Sequence, residues 1–86
     1  MPEILYELTA HAATVVKERA IDVEWIGRVL AQPERTQADR ADPLLTHALG
    51  RIDERNQRVL RVVYNASANP LRVVTAYFDR GQRAKP

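Results

Sequence analysis

The sequence has 86 residues and lacks cysteine entirely, and it is poor in aromatic residues, with one Trp, one Phe and three Tyr. The absence of cysteine excludes disulfides, zinc–thiolate sites and catalysis by a thiol. No apolar run reaches the roughly 18 residues that span a bilayer, and the N-terminal MPEILYEL lacks the basic segment of a signal peptide. We therefore expect a soluble, cytoplasmic protein without a membrane partner.

The positive charge of the chain is carried almost entirely by arginine, since Lys17 and Lys85 are its only lysines. The formal net charge is +2 and the sequence pI is about 9.4. The planar guanidinium fork suits phosphate or carboxylate groups, so an acidic partner is favoured, either RNA or an acidic protein. A solvated basic surface explains the same composition equally well.

The length corresponds to one small domain, and a hydrophobic fraction of 45% is typical of a folded one. We expect a single α+β domain over residues 1–80 and a flexible basic tail over residues 81–86. Thr9 is the predicted N-cap of a helix over residues 10–20, and Asp22 caps a second helix over residues 23–31.

The remaining segments have the period of β strands, and five strands are predicted over residues 3–8, 34–39, 44–52, 58–65 and 71–80. The order is therefore β-α-α-β-β-β-β. Strands joined by short polar turns indicate an antiparallel sheet, and two helices are enough to cover one of its faces.

Alternation along each strand assigns its side chains to two rows. In the last strand we expect an apolar row to contact the helices, formed by Val74, Ala76 and Phe78. The opposite row is more polar and contains Val73, Thr75, Tyr77 and Asp79. If the polar rows of neighbouring strands align, one open face of the sheet carries His47, Arg51, Arg61, Thr75 and Tyr77. A shift of register by one residue would move these side chains to the other face.

The sequence contains no Gly-rich phosphate loop and no nucleophile elbow, and no carboxylate lies at a recognised metal-ligand spacing from His11 or His47. No metal and no cofactor are expected. The remaining His, Arg, Lys, Thr and Tyr residues are the types that metal-independent ribonucleases use for proton transfer and for stabilising the phosphorane. Most small domains contain such residues, so composition alone leaves catalysis and binding open.

Five short segments carry a family resemblance through their order and spacing: TAHA (9–12), RAI (19–21), VLAQP (29–33), LRVV (60–63) and VVTAY (73–77). Together they resemble the bacterial domain-of-unknown-function family 4258, over about residues 5–79. Such domains are similar in fold to the RelE and BrnT toxins. The resemblance implies a metal-independent ribonuclease toxin of a toxin–antitoxin system, or a derivative of one, with RNA and an antitoxin protein as its partners.

Carried over position by position, the resemblance implies a catalytic set formed by His11, Arg19, Arg61, Thr75 and Tyr77. In this scheme the histidine is the base, the two arginines hold the phosphate, and the two hydroxyls orient the substrate. Family members often have a basic residue one turn after the histidine, and Lys17 is the candidate to replace it here. The residues expected to contact nucleic acid are Lys17, Arg51, Arg80 and Arg83.

Two alternatives belong to other classes of function. The first is a catalytically silent binding module for an acidic protein or nucleic acid, and the second is a homodimer formed through an exposed strand edge. Arg61 lies in a strongly apolar strand, which is explained either by function or by pairing with Asp79 or Glu7. His47 has no counterpart in the family pattern and is interpreted as a solvent-facing residue unless the polar rows align.

Overall fold

The computed structural model describes residues 5–80. Its elements are β1 (Tyr6–Leu8), α1 (Ala10–Glu18), α2 (Val23–Ala31), β2 (Arg35–Ala38), β3 (Leu45–Ile52), β4 (Arg58–Asn65) and β5 (Leu71–Phe78), with a 3-10 turn at Asp53–Arg55 between β3 and β4. The α+β class and the predicted order of elements are confirmed, whereas the predicted tail lies outside the described residues. Neither helix is long and apolar enough to cross a membrane.

Both helices begin at the predicted caps. Thr9 Oγ1 accepts a hydrogen bond from the Ala12 N–H at 3.1 Å, and Asp22 Oδ1 accepts one from the Glu24 N–H at 2.9 Å. Helix α1 ends at Glu18, two residues earlier than predicted. Ala20 has a φ of 53°, in the left-handed region, and this conformation turns the chain out of the helix.

The five strands form one sheet in the order β1-β5-β4-β3-β2. The pairs β2–β3, β3–β4 and β4–β5 are antiparallel, but β1 runs parallel to β5. The prediction of a wholly antiparallel sheet is therefore wrong at this edge, and the sheet is mixed. Short turns impose antiparallel pairing on the strands they join. No such turn joins β1 to another strand, because the chain passes from β1 through both helices before it reaches β2.

The core lies between the two helices and one face of the sheet. Helix α1 packs on β5 and β1, and α2 packs on β3 and β4. The largest fully buried side chains are Ile26, Ile52, Leu60, Val62 and Val73. The helices therefore cover one face and leave the opposite one, which we call the open face, without a helical layer.

A β-bulge changes the predicted alternation in β5. Val63 pairs with Thr75, whereas the next residue, Tyr64, pairs with Val73. Val74 is thus an extra residue without a partner opposite it. Val73 is fully buried in the core, so its assignment to the polar row was wrong. The reason is that strict alternation does not hold across a bulge.

Gly27 in α2 provides a first test of the packing. A Cβ atom there would lie 3.5 Å from Tyr6 Cε1 and 3.8 Å from Tyr6 Oη, which is ordinary contact. Glycine inside a helix costs about 1 kcal/mol relative to alanine. We therefore expect Gly27→Ala to raise the free energy of unfolding in urea by about 0.5–1 kcal/mol. A loss of stability would show that the Tyr6 ring cannot accommodate the methyl group.

Candidate functional site

The open face carries the predicted polar row. Arg61 in β4 pairs with Tyr77 in β5, and Val63 pairs with both His47 and Thr75. Directly paired residues project from the same face of a sheet. The predicted alignment is therefore confirmed for His47, Arg51, Arg61, Thr75 and Tyr77.

Arg61 is the one charged side chain among residues 5–80 that is buried, with 8% of the residue exposed. Its Nε and Nη2 atoms lie 2.8 and 2.7 Å from Asp79 Oδ2. Its Nη1 donates to Gln37 Oε1 at 3.1 Å and lies 2.8 Å from His47 Nδ1. Burying a guanidinium requires such partners, because an uncompensated charge in the interior is strongly destabilising. Of the two pairing partners considered for Arg61, Asp79 is the one observed, whereas Glu7 pairs with Arg72.

The contact with Arg61 fixes the tautomer of His47. A guanidinium has N–H donors and no acceptor, so His47 Nδ1 must accept the hydrogen bond. The ring proton is therefore on Nε2, which donates to Asp39 Oδ1 at 2.6 Å. The imidazole is held at both nitrogens, by a cation on one side and by a carboxylate on the other.

Asp39 lies in the turn between β2 and β3. Its Oδ2 atom accepts hydrogen bonds from the backbone N–H groups of Asp42 at 2.9 Å and Ala41 at 3.1 Å. The hydrogen bond from His47, followed by these two backbone bonds, lowers the pKa of the Asp39 carboxyl below its usual value. Asp39 is therefore ionised at neutral pH where it contacts the imidazole.

A surface depression of about 470 Å³ opens beside these groups and is lined by Gln37, Ala38, Asp39, Arg40, Ala41, His47 and Arg61. Its volume is within the range of small-ligand sites. The side chains of His47 and Asp39 are 15% and 22% exposed, so both are accessible from it. We call Gln37, Asp39, His47, Arg61 and Asp79 the Arg61 cluster. Within residues 5–80, no three His, Asp or Glu side chains are grouped so that they could hold a metal ion.

Comparison with known protein families gives a match over residues 8–78 to a domain of unknown function, DUF4258. The chain belongs to the DUF4258 family. The predicted family membership is thus confirmed, over both helices and four complete strands. No curated protein and no solved structure matches the chain.

Two of the residues implied by the family pattern lie away from the Arg61 cluster of this DUF4258 domain. Arg19 follows α1, and its Nη1 donates to the backbone oxygen of Ala76 at 2.8 Å. This bond attaches the end of the helix to the part of β5 that extends beyond β1. His11 is exposed in the first turn of α1, and among residues 5–80 no hydrogen bond or ion pair connects it to the cluster.

The other predicted residues are distributed over the surface of the DUF4258 domain. Thr75 and Tyr77 are partly buried on the open face, next to Arg61. Arg51 is on the same face, and its Nε donates to Glu34 Oε1 at 3.0 Å. Lys17 and Arg80 are exposed, whereas Arg83 lies outside the described residues. Their roles in binding or catalysis stay predictions.

The sequence analysis missed Gln37 and Asp39. Gln37 is the register partner of His47 across β2 and β3, so the open face would have included it had the polar row been extended to β2. Asp39 belongs to a turn, where strand alternation gives no direction for a side chain. The available signal for Asp39 was the ADRADP segment, since aspartate often hydrogen-bonds to the backbone two residues further on.

The lowered pKa of Asp39 predicts a contribution to stability that depends on pH. This contribution is fully present above the unfolded pKa of about 3.9 and is lost as the pH falls through the lower folded value. We expect thermal melts between about pH 6 and pH 3 to show a steeper acid loss for the wild type than for Asp39→Asn. The pKa of Glu54 is also lowered, mainly by Arg28. Because Glu54 is present in both proteins, its contribution to the pH dependence cancels in the comparison. Parallel melting curves would contradict the prediction.

Proposed function

We propose that this domain is a metal-independent endoribonuclease of the type found in toxin–antitoxin systems, acting at the Arg61 cluster. The observation that supports it is the 2.8 Å contact between His47 Nδ1 and Arg61 Nη1, beside a surface depression. Cleavage of RNA through its 2′-hydroxyl needs a group that transfers protons and a fixed cation for the phosphorane. An imidazole and a guanidinium in direct contact support the proposal, because they are side chains of these two kinds.

In the proposed reaction a backbone phosphate takes the Arg61 Nη1 donor and thereby frees the lone pair of His47 Nδ1. Nδ1 accepts the proton of the 2′-hydroxyl, whose oxygen bonds to phosphorus while the bond from phosphorus to the 5′-oxygen breaks. The products are a 2′,3′-cyclic phosphate and a 5′-hydroxyl. Asp39 holds the Nε2 proton and stabilises the imidazolium, as the carboxylate of a catalytic triad does. Tyr77 is the proposed donor of a proton to the 5′-oxygen.

This proposal gives the role of base to His47, whereas the family pattern implies His11. The two assignments are tested by cleavage of a single-stranded RNA with the wild type, His47→Ala and His11→Ala. Loss of the base is expected to lower the rate by a factor of about 10² to 10⁴. We expect this loss for His47→Ala only, with His11→Ala as the matched control.

The assay separates three results once equal thermal stability of the variants is established. Loss of cleavage in His47→Ala alone supports the proposal. Loss of cleavage in His11→Ala alone would assign the role of base to His11 in α1. If the wild-type protein leaves RNA intact, and its induced expression causes no growth arrest, the ribonuclease proposal is wrong.

One observation favours a second candidate, the catalytically silent binding module. The Arg61 guanidinium already makes four contacts with protein groups, so the cluster is closed by its own carboxylates and polar groups. In that case the open face binds an acidic partner and His47 has a structural role. His47→Ala would then leave binding to RNA or to the acidic partner unchanged, and no cleavage would be seen.

A further inference from the structure

A second basic site lies at the end of the sheet where β3 and β4 are joined, and we call Trp25, Arg55, Arg58 and Phe78 the arginine–aromatic cluster. The rings of Trp25 and Phe78 pack edge to face, with centroids 6.1 Å apart and planes at 68°. The guanidinium carbon of Arg55 lies 5.9 Å from the Trp25 centroid and 5.0 Å from that of Phe78. That of Arg58 also lies 5.0 Å from the Phe78 centroid. Two cations are thus held against one ring.

Within residues 5–80, neither arginine of this cluster forms an ion pair. The neighbouring carboxylates of the 3-10 turn pair with neither of these arginines, although Glu54 also accepts a hydrogen bond from the Trp25 side chain. Glu54 accepts from both terminal nitrogens of Arg28 at 3.0 and 3.1 Å. Asp53 accepts a hydrogen bond from the side chain of Gln57. The N–H donors of both cluster arginines therefore lack an anionic partner on this part of the chain.

The aromatic rings also restrict the two side chains before any ligand arrives. A cation over a ring face is attracted by the ring quadrupole, and this attraction reduces the freedom of long arginine side chains. Less conformational entropy is then lost when the guanidinium groups bind. Two like charges near one ring raise the local positive potential, and a bound anion lowers it. The cluster is therefore a preorganised site for an anion.

We propose that the arginine–aromatic cluster binds a backbone phosphate of single-stranded RNA, and the choice of RNA as ligand rests on the proposed function. A guanidinium offers a phosphate a planar fork of donors, and its flat face also stacks on a nucleobase. An acidic peptide would use the fork and leave the stacking surface unused. Arg55, Arg58, Trp25 and Phe78 are all partly exposed.

The position of the cluster connects it to the Arg61 cluster. Arg58 and Arg61 are three residues apart on β4, which corresponds to about 10 Å along a strand. They project from opposite faces, since Arg58 pairs with Ile52 of the core whereas Arg61 is on the open face. An RNA strand that passes round this end of the sheet would contact both sites.

The test uses a short RNA oligonucleotide in which every 2′-hydroxyl is methylated, so that cleavage by the proposed reaction is blocked. Binding is followed by the fluorescence of Trp25, the single tryptophan of the chain, and by anisotropy at several salt concentrations. We expect Arg55→Gln and Arg58→Gln each to weaken binding several-fold. The double variant Arg55→Gln/Arg58→Gln should also lower the slope of log K against log salt by about 0.7, which is the contribution of one neutralised phosphate on a single strand.

Arg72→Gln is the matched control, because it removes the same charge from an arginine that pairs with Glu7 at the opposite end of β5. Arg58→Lys keeps the positive charge of the side chain but removes the planar guanidinium. It therefore tests whether the variant folds and whether binding requires the geometry of the guanidinium. The proposal would be overturned if Arg55→Gln and Arg58→Gln bind the oligonucleotide with the same affinity as Arg72→Gln. If Arg55→Gln and Arg58→Gln lose as much affinity for a poly-glutamate peptide as for the RNA oligonucleotide, the choice of RNA as ligand would be overturned.

This test is independent of the cleavage assay. An oligonucleotide that binds through the two arginines while the wild type cleaves no RNA would support the cluster as a site and refute the ribonuclease. Cleavage that depends on His47, together with binding that is insensitive to Arg55 and Arg58, would refute the cluster alone.

Discussion

Replacing Arg61 by methionine is expected to lower the free energy of unfolding by about 3 kcal/mol, at the lower end of the range for a broken buried ion pair. The Arg61 and Asp79 side chains are only 9% and 18% exposed, so water cannot replace the guanidinium fully. The change also removes the donor to His47 Nδ1 and to Gln37. Urea unfolding at pH 7, followed by circular dichroism, measures the loss.

Arg72→Met is the control for this measurement, because its ion pair with Glu7 is 3.4 Å long and both side chains are about half exposed. Exposed pairs contribute less than about 1 kcal/mol. The double variant Arg61→Met/Asp79→Leu should recover much of the stability, since it replaces both members of the buried ion pair by apolar groups. A loss below about 1 kcal/mol for Arg61→Met would show that the buried pair contributes no more than an exposed one.

The second large effect is expected at Gly50, where β3 passes beneath α2. A Cβ atom on Gly50 would lie 3.2 Å from Val29 Cγ2 and 3.7 Å from Val29 Cγ1. Even a methyl group therefore requires Val29 to move, and a larger side chain must separate the helix from the sheet. We expect Gly50→Leu to lower the free energy of unfolding by about 3 kcal/mol, the upper end of the usual range for overpacking.

Two further variants separate overpacking from a simple loss of glycine. Gly50→Ala should have a smaller effect than Gly50→Leu, because Val29 can shift by a few tenths of an ångström. Gly50→Leu/Val29→Ala should recover part of the loss, since the shorter side chain leaves room. If Gly50→Leu is as stable as the wild type, the contact between β3 and α2 is looser than the distances indicate.

The helices and most strands could be predicted because their signals are local. Thr9 and Asp22 are strong N-caps, and β4 is rich in β-branched residues. The partner of β1 could not be predicted in the same way. Its pairing with β5 joins segments more than 60 residues apart, and no hairpin turn in the sequence specifies it.

The candidate site was predictable to the extent that it follows the period of the strands. Alternation placed His47 and Arg61 on one face, and the register confirms it. It gave no information about Asp39, because the direction of a side chain in a turn depends on backbone hydrogen bonds that form only in the fold. The roles of His11 and Arg19 came from the family pattern, and the structure gives Arg19 a bond to the β5 backbone.

The edge position of β2 predicts that the Arg61 cluster opens more readily than the core. All four residues of this short strand are exposed, and among residues 5–80 it pairs with β3 alone. Edge segments of this kind open locally at a much lower free energy than the core. We expect each opening to withdraw Gln37 from Arg61 and Asp39 from His47, and thereby to release the imidazole from its carboxylate partner. Amide hydrogen exchange in β2 measures the free energy of this local opening. A ligand that competes with Asp39 for His47 must have a binding free energy larger than this value.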